Sequence, residues 1–79
     1  MIDLIFQRLQ DLRTDKDKTQ EEIGAILDLH REVYGRYERG TVEIPVWAVI
    51  KLAVYYDVST DYILGLTDEP KPYKAIQKK

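Results

Sequence analysis

The sequence predicts an all-α domain of five short helices, and two observations carry that prediction. Apolar residues recur every three or four positions through five stretches, the period of a helix with one buried face. These stretches are bounded by residues that start or stop helices, among them Thr19 with Glu22, Gly40, Pro45, Ser59 and Gly65. The chain has 79 residues, 44% of them hydrophobic. That is enough for one folded domain with a modest core.

The first helix is expected over residues 2–13, with Ile2, Ile5, Phe6, Leu9 and Leu12 as its apolar stripe. Residues 14–18 make a charged loop. Thr19 followed by Glu22 is a capping box: the hydroxyl accepts from an early N–H and the carboxylate reaches back. Ile23, Ile26 and Leu27 then give the second helix its inward face. Gly24 costs about 1 kcal/mol relative to alanine inside a helix, which suits a place where another helix backbone passes close by. Asp28 stands where the chain must leave the helix through a left-handed residue, a conformation that aspartate tolerates. Leu29 follows as a buried anchor.

The third helix is expected over residues 30–39. Val33, Tyr34 and Tyr37 face inward, while Arg31, Glu32, Gly35, Arg36 and Arg39 face outward, and Gly40 closes it. Beyond a loop at 41–44, Pro45 suits the first position of a fourth helix, where its missing N–H costs nothing. That helix is expected to turn Val46, Val49, Ile50, Ala53 and Val54 inward and to end near Asp57. Ser59 caps a fifth helix with Tyr62, Ile63 and Leu66 as its apolar residues and Gly65 near its end. The domain thus occupies residues 1–68. Residues 69–79 form a basic tail with two prolines and four lysines, and a candidate docking element at 73–76.

Composition narrows the function. There is no cysteine, hence no disulfide, thiolate metal site or thiol nucleophile. No apolar stretch approaches the roughly 20 residues that span a membrane, and no export leader is visible. A cytoplasmic protein with no membrane partner is the expectation. Gly-rich phosphate loops, Ser/His/Asp spacings and metal clusters are absent from the sequence, so neither an enzyme nor a cofactor is expected. The single histidine, lacking cysteine partners, is a poor start for a metal site.

Residues 20–40 point elsewhere. Two short helices joined by a tight turn, the second exposing long polar side chains, are what a protein needs to place one helix in the major groove of DNA. The formal net charge is −2, unlike many DNA-binding domains. Its distribution is uneven, however. Residues 30–39 are net positive, residues 41–70 are negative and residues 71–79 contain four lysines and no acid. A basic face and an acidic back can orient the protein on a duplex, while the overall acidity predicts weak non-specific binding.

The same residues resemble a known family. TQEEI, the small residue at Gly24, RYERG at 36–40, EIP at 43–45, IKLA at 50–53 and VSTDYILGLTD at 58–68 are similar to the XRE family of helix-turn-helix domains, the group of the phage lambda repressor and Cro. The resemblance runs over roughly residues 3–68 and implies a compact five-helix, lambda-repressor-like DNA-binding domain. Asp28 replaces the usual turn glycine, and His30 stands where serine is frequent.

Candidate DNA-binding residues follow from this layout. Arg36 is the foremost base reader, since arginine contacts guanine O6 and N7 bidentately; the competing role is a solvated pair with Glu32 one turn away. Arg31 has base and phosphate in reach. Glu32 either accepts from cytosine N4 or positions Arg36. Gly35 either lets the helix approach the groove or leaves room for a thymine methyl. Gln20 sits at a helix N-terminus, where a phosphate can bind, and the resemblance implies that this position contacts the DNA backbone and buttresses the recognition helix. His30 is open between a cap, a DNA contact and a solvent-facing role. Arg39 and Thr41 complete the set. Tyr34 and Tyr37 read as core, and Trp47 falls at an exposed place on the fourth helix. The resemblance further implies that Arg13 pairs with Glu38, a glutamate badly placed for the groove.

The function expected is a sequence-specific regulator of transcription, a repressor, bound to double-stranded DNA. One recognition helix reads few base pairs, so a homodimer on a pseudo-palindromic operator is expected, with half-sites roughly 10 bp apart or a multiple of it. Its contacts would lie around Trp47 and Val58–Leu66, and it could form only on DNA. Two alternatives are an antitoxin whose tail binds a toxin and a helix-turn-helix fold retained solely for protein interaction.

Overall fold

Short-range caps set the boundaries of five helices. The structure, a computed structural model, describes residues 3–72, with side chains from residue 5 onward. The helices are α1 (Asp3–Asp15), α2 (Gln20–Ile26), α3 (Arg31–Arg39), α4 (Val46–Tyr56) and α5 (Thr60–Leu64), with no strand among the described residues. The Thr19 hydroxyl accepts from the Glu22 N–H at 3.0 Å, and the Glu22 carboxylate accepts from the Thr19 N–H at 2.8 Å. The Ser59 hydroxyl accepts from the Tyr62 N–H at 2.9 Å to open α5. At the exits the backbone turns left-handed at Asp28 and Asp57 (φ 61° and 59°) and at Gly40 and Gly65 (φ 77° and 81°). Aspartate tolerates that conformation where glycine is the usual choice.

The core gathers Leu9 of α1, Ile23 and Leu27 of α2, Tyr34 and Tyr37 of α3, the inner face of α4, Val58, and Ile63 of α5. Leu12, Ile26, Leu29 and Val33 pack against it half-buried. Helix α1 packs on both α3 and α5, α2 on α3, and α4 on α5. Gly24 is buried where α2 meets the turn: a Cβ there would lie 2.9 Å from the Leu29 carbonyl oxygen. The close neighbours are therefore the Leu29 carbonyl of the turn and, as expected of a second helix, the Arg31 backbone at the start of α3.

Several expectations need correction. Helix α1 continues to Asp15, two residues beyond the expected end, and Pro45 is the N-cap of α4, not its first helical residue. The buried face of α4 is Ala48, Val49, Leu52, Ala53 and Tyr56, which leaves Val46, Ile50 and Val54 exposed. The helix is turned by about one residue's rotation, ~100°. Its sequence, VWAVIKLAVYY, is apolar at nearly every position, so periodicity cannot select a face. Close packing selects it instead, through small alanines and a tyrosine whose ring fills the core. Leu66 is 73% exposed, not inward. Ile2 and the candidate docking element at 73–76 lie outside the described residues.

Arg8 holds the end of the domain. Its guanidinium donates to the carbonyls of Tyr62 and Thr67, pairs with Asp68 at 3.0 Å and lies 3.8 Å over the Tyr62 ring. No described helix is long and apolar enough to cross a membrane. The Tyr56 hydroxyl is buried without a hydrogen bond among the described residues. An unpaired buried hydroxyl opposes folding. Tyr56→Phe should therefore leave stability unchanged or raise it by up to about 1 kcal/mol; urea denaturation showing a clear loss would contradict this.

Candidate nucleic-acid interface

The α2–turn–α3 unit is built around a short, fully bonded turn. The Leu29 N–H donates to the Gly24 carbonyl at 2.8 Å, and Asp28 supplies the left-handed reversal between them. His30 then caps α3: its Nδ1 accepts from the Glu32 N–H at 3.2 Å. This gives the histidine a structural role at the helix start. Gly40 ends α3, and the Thr41 N–H and hydroxyl both donate to the Arg36 carbonyl, at 3.1 and 3.4 Å.

Beneath α3 lies a polar cluster centred on Glu38. Its carboxylate accepts from Arg13 Nε at 2.7 Å and Nη2 at 3.1 Å, from the Tyr34 hydroxyl at 2.6 Å and from Gln20 Nε2 at 3.0 Å. Arg13 Nη1 also donates to the Lys18 carbonyl at 3.0 Å. The Glu38 side chain is only 4% exposed and that of Arg13 14%. Burial by itself would raise the Glu38 carboxyl. The hydrogen bonds from Arg13, Tyr34 and Gln20 outweigh it and hold the group below the usual carboxylate range. The same pairing raises Arg13, and burial followed by the bond to Glu38 pushes the Tyr34 phenol upward. One carboxylate thus joins α1, the start of α2 and α3.

The outward residues divide into two groups. Arg31, Glu32, Arg36 and Arg39 are exposed along α3. Arg36 and Glu32 form no ion pair among the described residues, so the guanidinium is available to an external partner. Gly35 contradicts its expected place: it is buried, not outward. A Cβ at this position would meet Gln20 Oε1 and Arg39 Nη1, each at 3.1 Å. The ends of two flexible polar side chains of the chain itself cover the space. Gln20 is half-buried, and its donor end is held by Glu38. Its oxygen and Arg39 Nη1 both lie over Gly35. No group of three or more metal-ligating side chains occurs among the described residues.

Sequence reasoning reached the Arg13–Glu38 pair and the buttressing of α3 by Gln20 through family resemblance, but it named neither Glu38 as the partner of Gln20 nor the Tyr34 bond. Tyr34 and Glu38 are four apart on one helix, a spacing that brings side chains together. The Gln20 contact joins separate helices and has no local signal.

Glu38→Gln should lower stability by about 2–3 kcal/mol, because it leaves the Arg13 charge poorly paired. The folded carboxyl titrates below its ordinary value of 4.5. Its contribution is therefore full above that pH and is lost as pH falls through the lower, folded value. The gap between wild type and variant should be widest near neutrality and close in acid. Urea melts at several pH values check this; a gap independent of pH would contradict it.

Comparison with known proteins agrees with this geometry. A family model described as helix-turn-helix matches residues 9–63. The uncharacterised HTH-type transcriptional regulator YobD of Bacillus subtilis is 42% identical over 66 residues, which cover 84% of this chain and 59% of that protein. The SPbeta prophage-derived HTH-type regulator YonR of the same organism is 36% identical over 58 residues, 73% of this chain and 54% of its own length. The cryptic phage CTXphi transcriptional repressor RstR of Vibrio cholerae is 33% identical over 55 residues, 70% of this chain and 50% of that repressor. The chain thus spans between half and three fifths of the length of these relatives. No solved structure gives a significant match. The family match begins inside α1 and ends inside α5, taking in the bonded turn, the capped third helix and both ends of the Arg13–Glu38 pair: the chain belongs to the XRE-type helix-turn-helix family of transcriptional regulators.

Proposed function

We propose that this chain is the sequence-specific DNA-binding unit of a transcriptional repressor, reading double-stranded DNA with α3 in the major groove. The observation that carries this reading is the division of labour on α3. Its inner charged residue, Glu38, is consumed by structural bonds, while Arg36 stands exposed one turn from Glu32 without pairing to it. An exposed unpaired arginine on a rigidly seated helix is suited to guanine O6 and N7. Arg31 and Glu32, in the first turn, lie where recognition helices contact base edges. Arg39, beside Gln20 over Gly35, is placed at the other end of the face and serves a phosphate or a further base. Thr41 follows it at the helix end. The repressor polarity follows the name of the RstR relative.

Two copies on an inverted repeat supply the specificity that one helix lacks. Of the segment expected to mediate pairing, Val58, Ser59 and Ile63 are buried. Trp47, Leu64 and Leu66 are exposed and are the residues of that region that a second copy can touch.

Selection of bound sequences from a random duplex pool tests the reading. The expected motif is an inverted repeat with half-sites roughly 10 bp apart or a multiple of it. On the selected site Arg36→Ala should cost about 1–3 kcal/mol and relax the preference at one base position. Its thermal stability should match wild type. Unchanged affinity in a folded Arg31→Ala/Arg36→Ala variant would remove α3 from the groove. A motif without a repeat, bound by one copy, would remove the dimer.

A further inference from the structure

Gly24 and Gly35 both stand inside helices, but different neighbours confine them. At Gly24 a Cβ would press on the backbone oxygen of Leu29, so the turn itself needs the bare position. At Gly35 the nearest atoms are Gln20 Oε1 and Arg39 Nη1, each 3.1 Å from where a Cβ would lie, and then Arg39 Cζ at 3.8 Å. All three belong to the ends of flexible side chains. Gly35 lies within α3 and is not among the residues of positive φ, so alanine fits its backbone. Alanine is also the better helix former. Folding alone therefore favours a side chain at position 35.

The bare position brings two polar groups together. Gln20 Nε2 donates to Glu38 Oε1 at 3.0 Å. A carboxylate only accepts, so the amide has one orientation, and its oxygen is the end left over Gly35. Arg39 reaches back one helical turn to the same spot, the i,i+4 spacing at which side chains on a helix meet. It is exposed and forms no hydrogen bond or ion pair among the described residues. A fixed acceptor and an unpaired guanidinium thus share one patch of α3. The oxygen attracts the guanidinium and narrows the poses it takes before any partner arrives, which lowers the ordering cost of binding.

We infer that Gly35 is a positioning residue for DNA binding: its missing side chain lets the Arg39 guanidinium rest beside the Gln20 oxygen in the pose that meets the duplex, although the helix is less stable for it. The inference rests on the proposed placement of α3 in the groove. A methyl at position 35 would be tolerated by the fold, because the side-chain ends above it can move. Moving them is what would disturb Arg39.

A double-mutant cycle of Gly35→Ala and Arg39→Ala, measured on a selected duplex, tests it. Gly35→Ala should raise the folding equilibrium constant, read from urea melts, about fivefold. It should weaken binding about threefold or more. In the Arg39→Ala background the same substitution should leave affinity unaltered, because no guanidinium remains to displace. An equal loss in both backgrounds would mean that the methyl strikes the duplex directly, and would overturn the inference. So would wild-type affinity in either single variant. A lower urea midpoint in Gly35→Ala would also overturn it, making this glycine a structural requirement like Gly24. Arg36→Ala separates the inference from the reading beneath it. Affinity lost in Arg36→Ala but kept in Gly35→Ala rejects the positioning role alone, whereas affinity kept in both rejects the two together.

Discussion

The seating of α3 depends on one buried carboxylate. Glu38 has four donor atoms around it, from α1, α2 and α3. A buried charge with fewer partners would oppose folding, because desolvation is costly unless the remaining lone pairs are satisfied. With Arg13 bidentate and both Tyr34 and Gln20 donating, the charge is satisfied and its geometry is narrow. A shift or roll of α3 would lengthen several of these bonds together. The hydrophobic contacts of Tyr34, Tyr37 and Val33 supply burial, which is not directional. The carboxylate cluster supplies the direction.

Helix α1 is the frame on which this happens. Arg13, near its C-terminus, reaches α3, and Arg8, further back, reaches the carbonyls at the end of α5 and Asp68. One helix thereby fixes both the helix-turn-helix unit and the closing segment of the domain. With Glu38 committed inside, the outer face of α3 keeps three arginines and Glu32. That local positive surface exists on a chain of net charge −2, and it concentrates attraction for phosphates on the side that carries the proposed reading residues.

Legibility in the sequence followed the range of each interaction. The caps at Thr19, Ser59, Gly40 and Gly65 and the left-handed Asp28 were readable, because a cap involves residues two to five apart. The inward faces of α2 and α3 were readable because apolar and polar positions separate cleanly. In α4 they do not, and the buried face was misplaced. Gly35 was misread because the side chains covering it, Gln20 and Arg39, are placed by the tertiary fold. Arg8 gave no signal, since two of its acceptors are backbone carbonyls that any sequence provides. In the candidate site, the exposed arginines were legible from spacing, whereas the cluster that positions them was only partly so, through the resemblance at Arg13 and Glu38.

The central claim is that α3 is held by an internal polar cluster that stays intact while its outer face engages DNA. Arginine side-chain Nε–H resonances report both halves in one NMR titration with a selected duplex. The account predicts a slowly exchanging Arg13 Nε–H signal in the free protein, unmoved on binding, while the Arg36 signal shifts and becomes protected. An Arg13 signal that exchanges as fast as that of Arg36 in the free protein, or that moves with the Arg36 signal as duplex is added, would contradict it.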